Sequence, residues 1–160
     1  MDKYLVTKQD IDDLEGVDKS HFLNPKARRI NKSLGDLTGL TDFGFHMIEV
    51  EPGIESTEFH RHHYEDECVY ILEGTATALI EDEEHSIGPG DFIAYPAGGP
   101  AHKIINTGDT TLKFIVVGRR QEHDVIDYPL LKKRMFQNKK LGFEIVDVAN
   151  IEEAPIGKKK

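Results

Sequence analysis

Two histidines one residue apart, His60 and His62, constrain this chain more than any other feature. In an extended strand, residues i and i+2 project to one face at about 3.3 Å rise per residue. A strand through this pair therefore delivers two imidazoles to one side and Arg61 to the other. Residues 63–66 are polar and turn the chain, and Glu67 then opens an apolar strand over 69–72 that ends at Gly74. A carboxylate is thereby brought beside two imidazoles, a donor set suited to a transition-metal ion. His63 has the opposite parity and is a poor ligand candidate.

The flanking sequence reads as strands. Residues 43–50 alternate, with Phe43, Phe45 and Met47 on one face and His46, Ile48 and Val50 on the other, until Pro52 and Gly53 stop the run. Residues 75–80 are small and β-branched, and the acidic tract 81–84 makes a hairpin tip. A Gly/Pro turn at 86–91 feeds a strand over 92–95, a loop at 96–100 precedes His102, and 111–117 is apolar on both faces. Short strands separated by turns predict an all-β sandwich or barrel. Thr7, Asp10 and Ile11 predict one short capped helical turn. Residues 21–39 read as irregular chain with one short strand around 28–34. Residues 124–129 read as a connecting loop, and 134–137 and 143–148 as strands paired across the turn at Asn138.

The central run resembles the first motif of the cupin superfamily, G-x5-H-x-H-x3,4-E-x6-G, in the form Gly53-x6-His60-x-His62-x4-Glu67-x6-Gly74. The second motif, G-x5-P-x-G-x2-H-x3-N, is matched by Gly90-x5-Pro96-x-Gly98-x3-His102-x3-Asn106. Each has one extra residue, and in neither does it alter the ligand pattern; if Gly99 is the motif glycine, the second insertion lies ahead of it. Together they cover about a third of the chain. The resemblance implies a double-stranded β-helix, or jelly-roll barrel, filling one domain over 1–160. Its core would span about 43–118, with a short N-terminal helical turn and a C-terminal extension.

The same resemblance adds His102 to the set, so that His60, His62, Glu67 and His102 would hold one divalent ion of Fe, Mn, Ni, Co or Zn. At six-coordination two positions stay open for a small molecule. His46, which shares a face with Ile48 and Val50, and Tyr95, just ahead of the Pro96 turn, are candidate pocket residues; no catalytic residue is assigned. The implied function is a metal-dependent enzyme acting on a small oxygen-bearing metabolite, with dioxygenase, isomerase, lyase and decarboxylase chemistry all open. The alternative is a non-enzymatic module that binds or senses such a molecule.

A net charge of −9 argues against a nucleic-acid partner, which requires clustered Lys and Arg. No apolar run reaches membrane-spanning length. The N-terminus lacks the pattern of a signal peptide, and the single cysteine, Cys68, fits a reducing compartment, so a cytoplasmic setting is expected. Lys158 to Lys160 are expected to fray. If Glu67, Val69 and Ile71 point inward, then Cys68, Tyr70 and Leu72 form an apolar outer face. Such a face needs a cover, and a homodimer is expected to supply part of it.

Overall fold

The computed structural model describes residues 4–154, 156 and 157; the expectation for Lys158 to Lys160 lies outside them. Thr7 caps helix α1 (Lys8–Asp12) as its sequence predicts. Asp10 N donates to Thr7 Oγ1 at 3.2 Å and Thr7 N to Asp10 Oδ2 at 2.8 Å, so two otherwise orphaned donors are satisfied reciprocally.

The next stretch departs from expectation. Strands β1 (Val17–His21) and β2 (Asn24–Ser33) form an antiparallel hairpin, followed by helix α2 (Leu34–Thr38), where irregular chain with one short strand around 28–34 was expected over 21–39. The hairpin lies at one edge of its sheet, and β1 buries no residue fully, so no apolar alternation marks it. Strand β3 (Phe43–Val50) has the predicted bounds. After it come β4 (Arg61–His62), β5 (Glu67–Glu73), β6 (Ala76–Ile80), β7 (Glu83–Ile87), β8 (Phe92–Tyr95), β9 (His102–Ile105) and β10 (Leu112–Arg119). Gly74 ends β5 at φ +81°, where a Cβ would lie 3.0 Å from both Leu112 Cα and Thr111 O. Glycine alone suits both the backbone angle and the close approach.

The chain closes with β11 (His123–Tyr128), β12 (Lys133–Asn138) and β13 (Gly142–Asp147). The β12–β13 hairpin turns near Asn138 as predicted, but the expected loop at 124–129 is strand β11, in the interior of its sheet. Asp124, Ile126 and Tyr128 are its buried residues, 1%, 2% and 3% exposed. The alternation is regular, but its first inward position is a carboxylate and Pro129 follows its last, so it does not read as an apolar strand.

Strands β1-β2-β3-β10-β5-β8 form one sheet, β13-β12-β11-β4 a second and β7-β6-β9 a third. The second and third meet edge to edge at a bridge between His60 and His102. There His60 N donates to His102 O at 3.1 Å and His102 N to His60 O at 2.8 Å. One core cluster joins Ile48, Val69, Ile71, Leu112 and Phe114 of the first sheet to Ala76, Ala78, Ile87 and Ile104 of the third. Fully buried side chains such as Ile71 and Leu112 contribute about 1.5–3 kcal/mol each by leaving water. The strand faces follow the sequence reading: Val69 and Ile71 are buried, whereas Tyr70 is 44% exposed on the outer face beside Phe92 of β8. Among the described residues, no helix is long and apolar enough to cross a membrane.

Candidate metal centre

The histidine pair enters from the seam between the second and third sheets, His102 opens β9 on the other side of that seam, and Glu67 opens β5 in the first sheet. The turn at 63–66 thus carries the chain from one sheet to another. His60, His62, Glu67 and His102 all line one cavity of about 520 Å³. The His60 ring centroid lies 5.0 Å from that of His62 and 4.7 Å from that of His102, and His102 Nε2 lies 3.5 Å from Glu67 Oε1.

Each imidazole has its Nδ1 engaged. His60 Nδ1 donates to Glu58 O at 2.8 Å, His102 Nδ1 to Pro100 O at 3.1 Å, and His62 Nδ1 to Asp124 Oδ2 at 2.5 Å. A proton held on Nδ1 leaves Nε2 of each neutral ring as a bare acceptor, the form in which imidazole binds a metal. His102 Nε2 is buried with no hydrogen-bond partner, although Glu67 is near. An orphaned buried nitrogen is costly unless something else satisfies it. Three nitrogens and one carboxylate fit a borderline divalent ion.

The electrostatics follow from burial and crowding. Burial, reinforced by His102 and His62, pulls the His60 imidazole down to about 3. Burial opposes ionisation of Glu67, but the histidines beside it prevail and hold it down to about 2. For His62, burial is outweighed by the hydrogen bond to Asp124 and by Glu67, so its pKa is raised.

A second donor group overlaps the first. Single ligand atoms of His62, Glu65 and Asp124 lie within 4.8 Å of one another, an arrangement that could also hold a cation. Both Asp124 oxygens already accept hydrogen bonds, from His62 Nδ1 and from Tyr64 N at 2.9 Å, and Glu65 Oε1 accepts from Gln121 N at 2.7 Å.

His46 and Tyr95 also line the cavity. Burial lowers the His46 pKa, and Gly44 makes room for its ring, since a Cβ there would lie 2.6 Å from His46 Nε2. The Tyr95 ring stacks on His102 with centroids 3.4 Å apart and planes at 2°, and its hydroxyl is buried without a partner. Burial raises its pKa. His63 lies outside the set, its Nε2 2.9 Å from Asp127 Oδ2. Sequence reasoning missed Asp124, in a stretch read as a loop, Arg29, in the one short strand expected around 28–34, and Lys19, in a stretch given no reading. A period of two was the available signal: Ala27, Arg29 and Asn31 share one face of β2, and Asp124, Ile126 and Tyr128 one face of β11.

Residues 46–118 match the cupin domain family. A crystal structure from Acidithiobacillus ferrooxidans, named as a candidate sugar phosphate isomerase, superposes with a TM-score of 0.92 at 47% identity, covering 95% of this chain and 97% of that one. A second, a sugar phosphate isomerase from a cupin superfamily in Silicibacter pomeroyi, gives 0.78 at 30% identity, covering 91% and 95%. The Thermotoga maritima oxalate-binding protein is 28% identical over 116 residues, 70% of this chain and 86% of that protein. An uncharacterized protein of Methanocaldococcus jannaschii is 35% identical over 66 residues, only 52% of its own length.

Proposed function

The chain belongs to the cupin superfamily, and we propose that it is a metal-dependent isomerase of sugar phosphates, with His60, His62, Glu67 and His102 as the ligands of one divalent ion. On this reading the facing sheets form the jelly-roll barrel of that family, in a cytoplasmic protein. The observation that carries the metal assignment is His102 Nε2, buried without a partner 3.5 Å from Glu67 Oε1. It favours this set over His62, Glu65 and Asp124, in which both Asp124 oxygens and Glu65 Oε1 already accept from N–H donors. The isomerase assignment draws on the two structures that cover more than nine-tenths of the chain.

An ion held there would supply Lewis-acid polarisation of a substrate carbonyl or hydroxyl. The chain's own part is to fix three imidazoles by their Nδ1 atoms and to close the site with Tyr95 and the core behind it. His46, which lines the same cavity, is the proposed group to accept and return a proton, as the enediol route for moving a carbonyl between adjacent carbons requires. Burial keeps it neutral near pH 7. The test is proton NMR of aldose and ketose phosphates in D2O with the metal-loaded protein. Deuterium entering next to the carbonyl, lost with a chelator and in His46→Gln, is the expected result. The absence of both deuterium exchange and aldose–ketose interconversion with every sugar phosphate would end the isomerase reading.

Similarity to an oxalate-binding protein favours one alternative, a module that holds a small oxygen-bearing anion without turnover. It would bind oxalate stoichiometrically and exchange no carbon-bound hydrogen. We also propose a homodimer packed on the outer face, where Tyr70 is 44% and Phe92 63% exposed. A monomer mass by light scattering across a concentration series would contradict it.

A further inference from the structure

The proposed chemistry leaves the β1–β2 hairpin without a task, yet its charges are arranged in an unfavourable way. Lys19 and Arg29 stand directly opposite each other in the hairpin register. Like charges so placed repel and destabilise the pair. Both line the cavity that contains His60 and His62.

Several other cations nearby are neutralised, although, among the described residues, Arg119, which lines the same cavity, is not. Arg28, on the other face of β2, pairs with Asp18; Lys103 pairs with Glu55 at 3.1 Å and Arg120 with Asp36 at 2.6 Å. Among the described residues, Lys19 and Arg29 have no such carboxylate. The Arg29 side chain donates from Nη1 to Ser56 O at 2.7 Å, while its Nε is buried with no partner. Burial also lowers its pKa, the sign of a guanidinium withdrawn from water with little compensation. Keeping a buried guanidinium with no carboxylate in contact, across the hairpin from a lysine, is costly in the free protein. The free edge of the guanidinium is a planar fork that matches an oxyanion in two-point contact.

We propose that Lys19 and Arg29 form an anion subsite that holds the phosphate group of the substrate beside the metal centre. Two positive charges complement a phosphate dianion better than a single carboxylate. The identity of the anion rests on the sugar-phosphate reading above, whereas the subsite itself rests on the hairpin.

The test is calorimetric titration of the full chain, at matched metal content, with inorganic phosphate, glucose 6-phosphate, glucose and oxalate. The two phosphates are expected to bind and glucose to bind far more weakly. Arg29→Gln should weaken phosphate binding about tenfold or more, as for loss of a charged hydrogen bond. Lys19→Gln, at an exposed position, should weaken it about two- to fivefold. Lys19→Glu keeps the test sharp if Arg29→Gln misfolds: a carboxylate opposite Arg29 supplies the missing counter-ion. It should raise the melting temperature by about 2–4 °C while reducing phosphate binding at least as much as Lys19→Gln. Phosphate affinity unchanged in Arg29→Gln and Lys19→Glu would overturn the subsite. Oxalate binding that depends on Arg29, with phosphate binding that does not, would overturn its assignment to phosphate. Phosphate binding that depends on Arg29 in a protein with no isomerase turnover would uphold the subsite and remove only the reaction.

Discussion

His60 and His102 are held by the loops that precede them, whereas His62 is held from far along the chain. In the first two, Nδ1 donates to a carbonyl two residues back, Glu58 O and Pro100 O. In the third it donates to Asp124, 62 residues on, in a strand, β11, that lies outside the segment matching the cupin domain. The local anchors come with the motif itself, since the turn that aims the ring also presents the acceptor. The distant anchor makes the C-terminal sheet part of the site. That sheet therefore has a role beyond cover, because it fixes the tautomer and angle of one proposed ligand.

The largest effect expected is from His62→Ala, which should remove stoichiometric metal by elemental analysis and leave the protein folded. Full metal content in that variant would break the proposed ligand set. Asp124→Asn tests the distant anchor alone. One amide oxygen can still accept from His62 Nδ1, but the amide NH2 would then face Tyr64 N–H, donor against donor. A 10- to 100-fold loss of metal affinity is expected in competition with a chelator, with about 1–3 kcal/mol of stability lost to the unsatisfied pair. Unchanged affinity would reduce the C-terminal sheet to packing.

A smaller effect concerns what holds that sheet together. Arg134 donates to both Asp127 oxygens, at 2.6 and 2.8 Å, and with His63 holds the carboxyl down to about 2. A depressed pKa stabilises the fold above the unfolded value, near 4, and the contribution is lost as pH falls from there towards 2. Allowing for solvent screening, the pair contributes about 1 kcal/mol. Asp127→Asn should lower stability at neutral pH and flatten its dependence on pH across that window, as measured by urea unfolding; an unaltered slope would exclude the pair as its source. The smallest effect is expected from Glu65→Gln, with metal affinity within about threefold of the parent, since Glu65 takes no part in the proposed set. Loss of metal there, with His102→Ala unaffected, would move the ion to His62, Glu65 and Asp124.

The same contrast explains what the sequence disclosed. Strands β3 and β5 were legible because their apolar runs stop near Gly or Pro, β10 because it is apolar on both faces, and the H-x-H parity put His60 and His62 on one face. Strand β11 was not, because its inward positions begin with Asp124, a residue that on propensity alone belongs to loops. The β1–β2 hairpin was obscured in the same way, since its cavity-facing positions include Lys19, Arg29 and Asn31. Polar residues that point inward serve a site and not a core, so hydropathy does not report them.

The bridge at the seam carries a consequence for motion. His60 and His102 exchange two main-chain hydrogen bonds, at 3.1 and 2.8 Å, so the proposed ligands lie on both strands of one local opening event. An ion spanning their side chains would add a cross-link between the strands. Amide hydrogen exchange at His60 and His102 should then slow on metal loading, while the N–H groups of β12 and β13 exchange as before. The seam would be the first part of the second and third sheets to breathe in the metal-free protein, and the part most tightly closed in the loaded one.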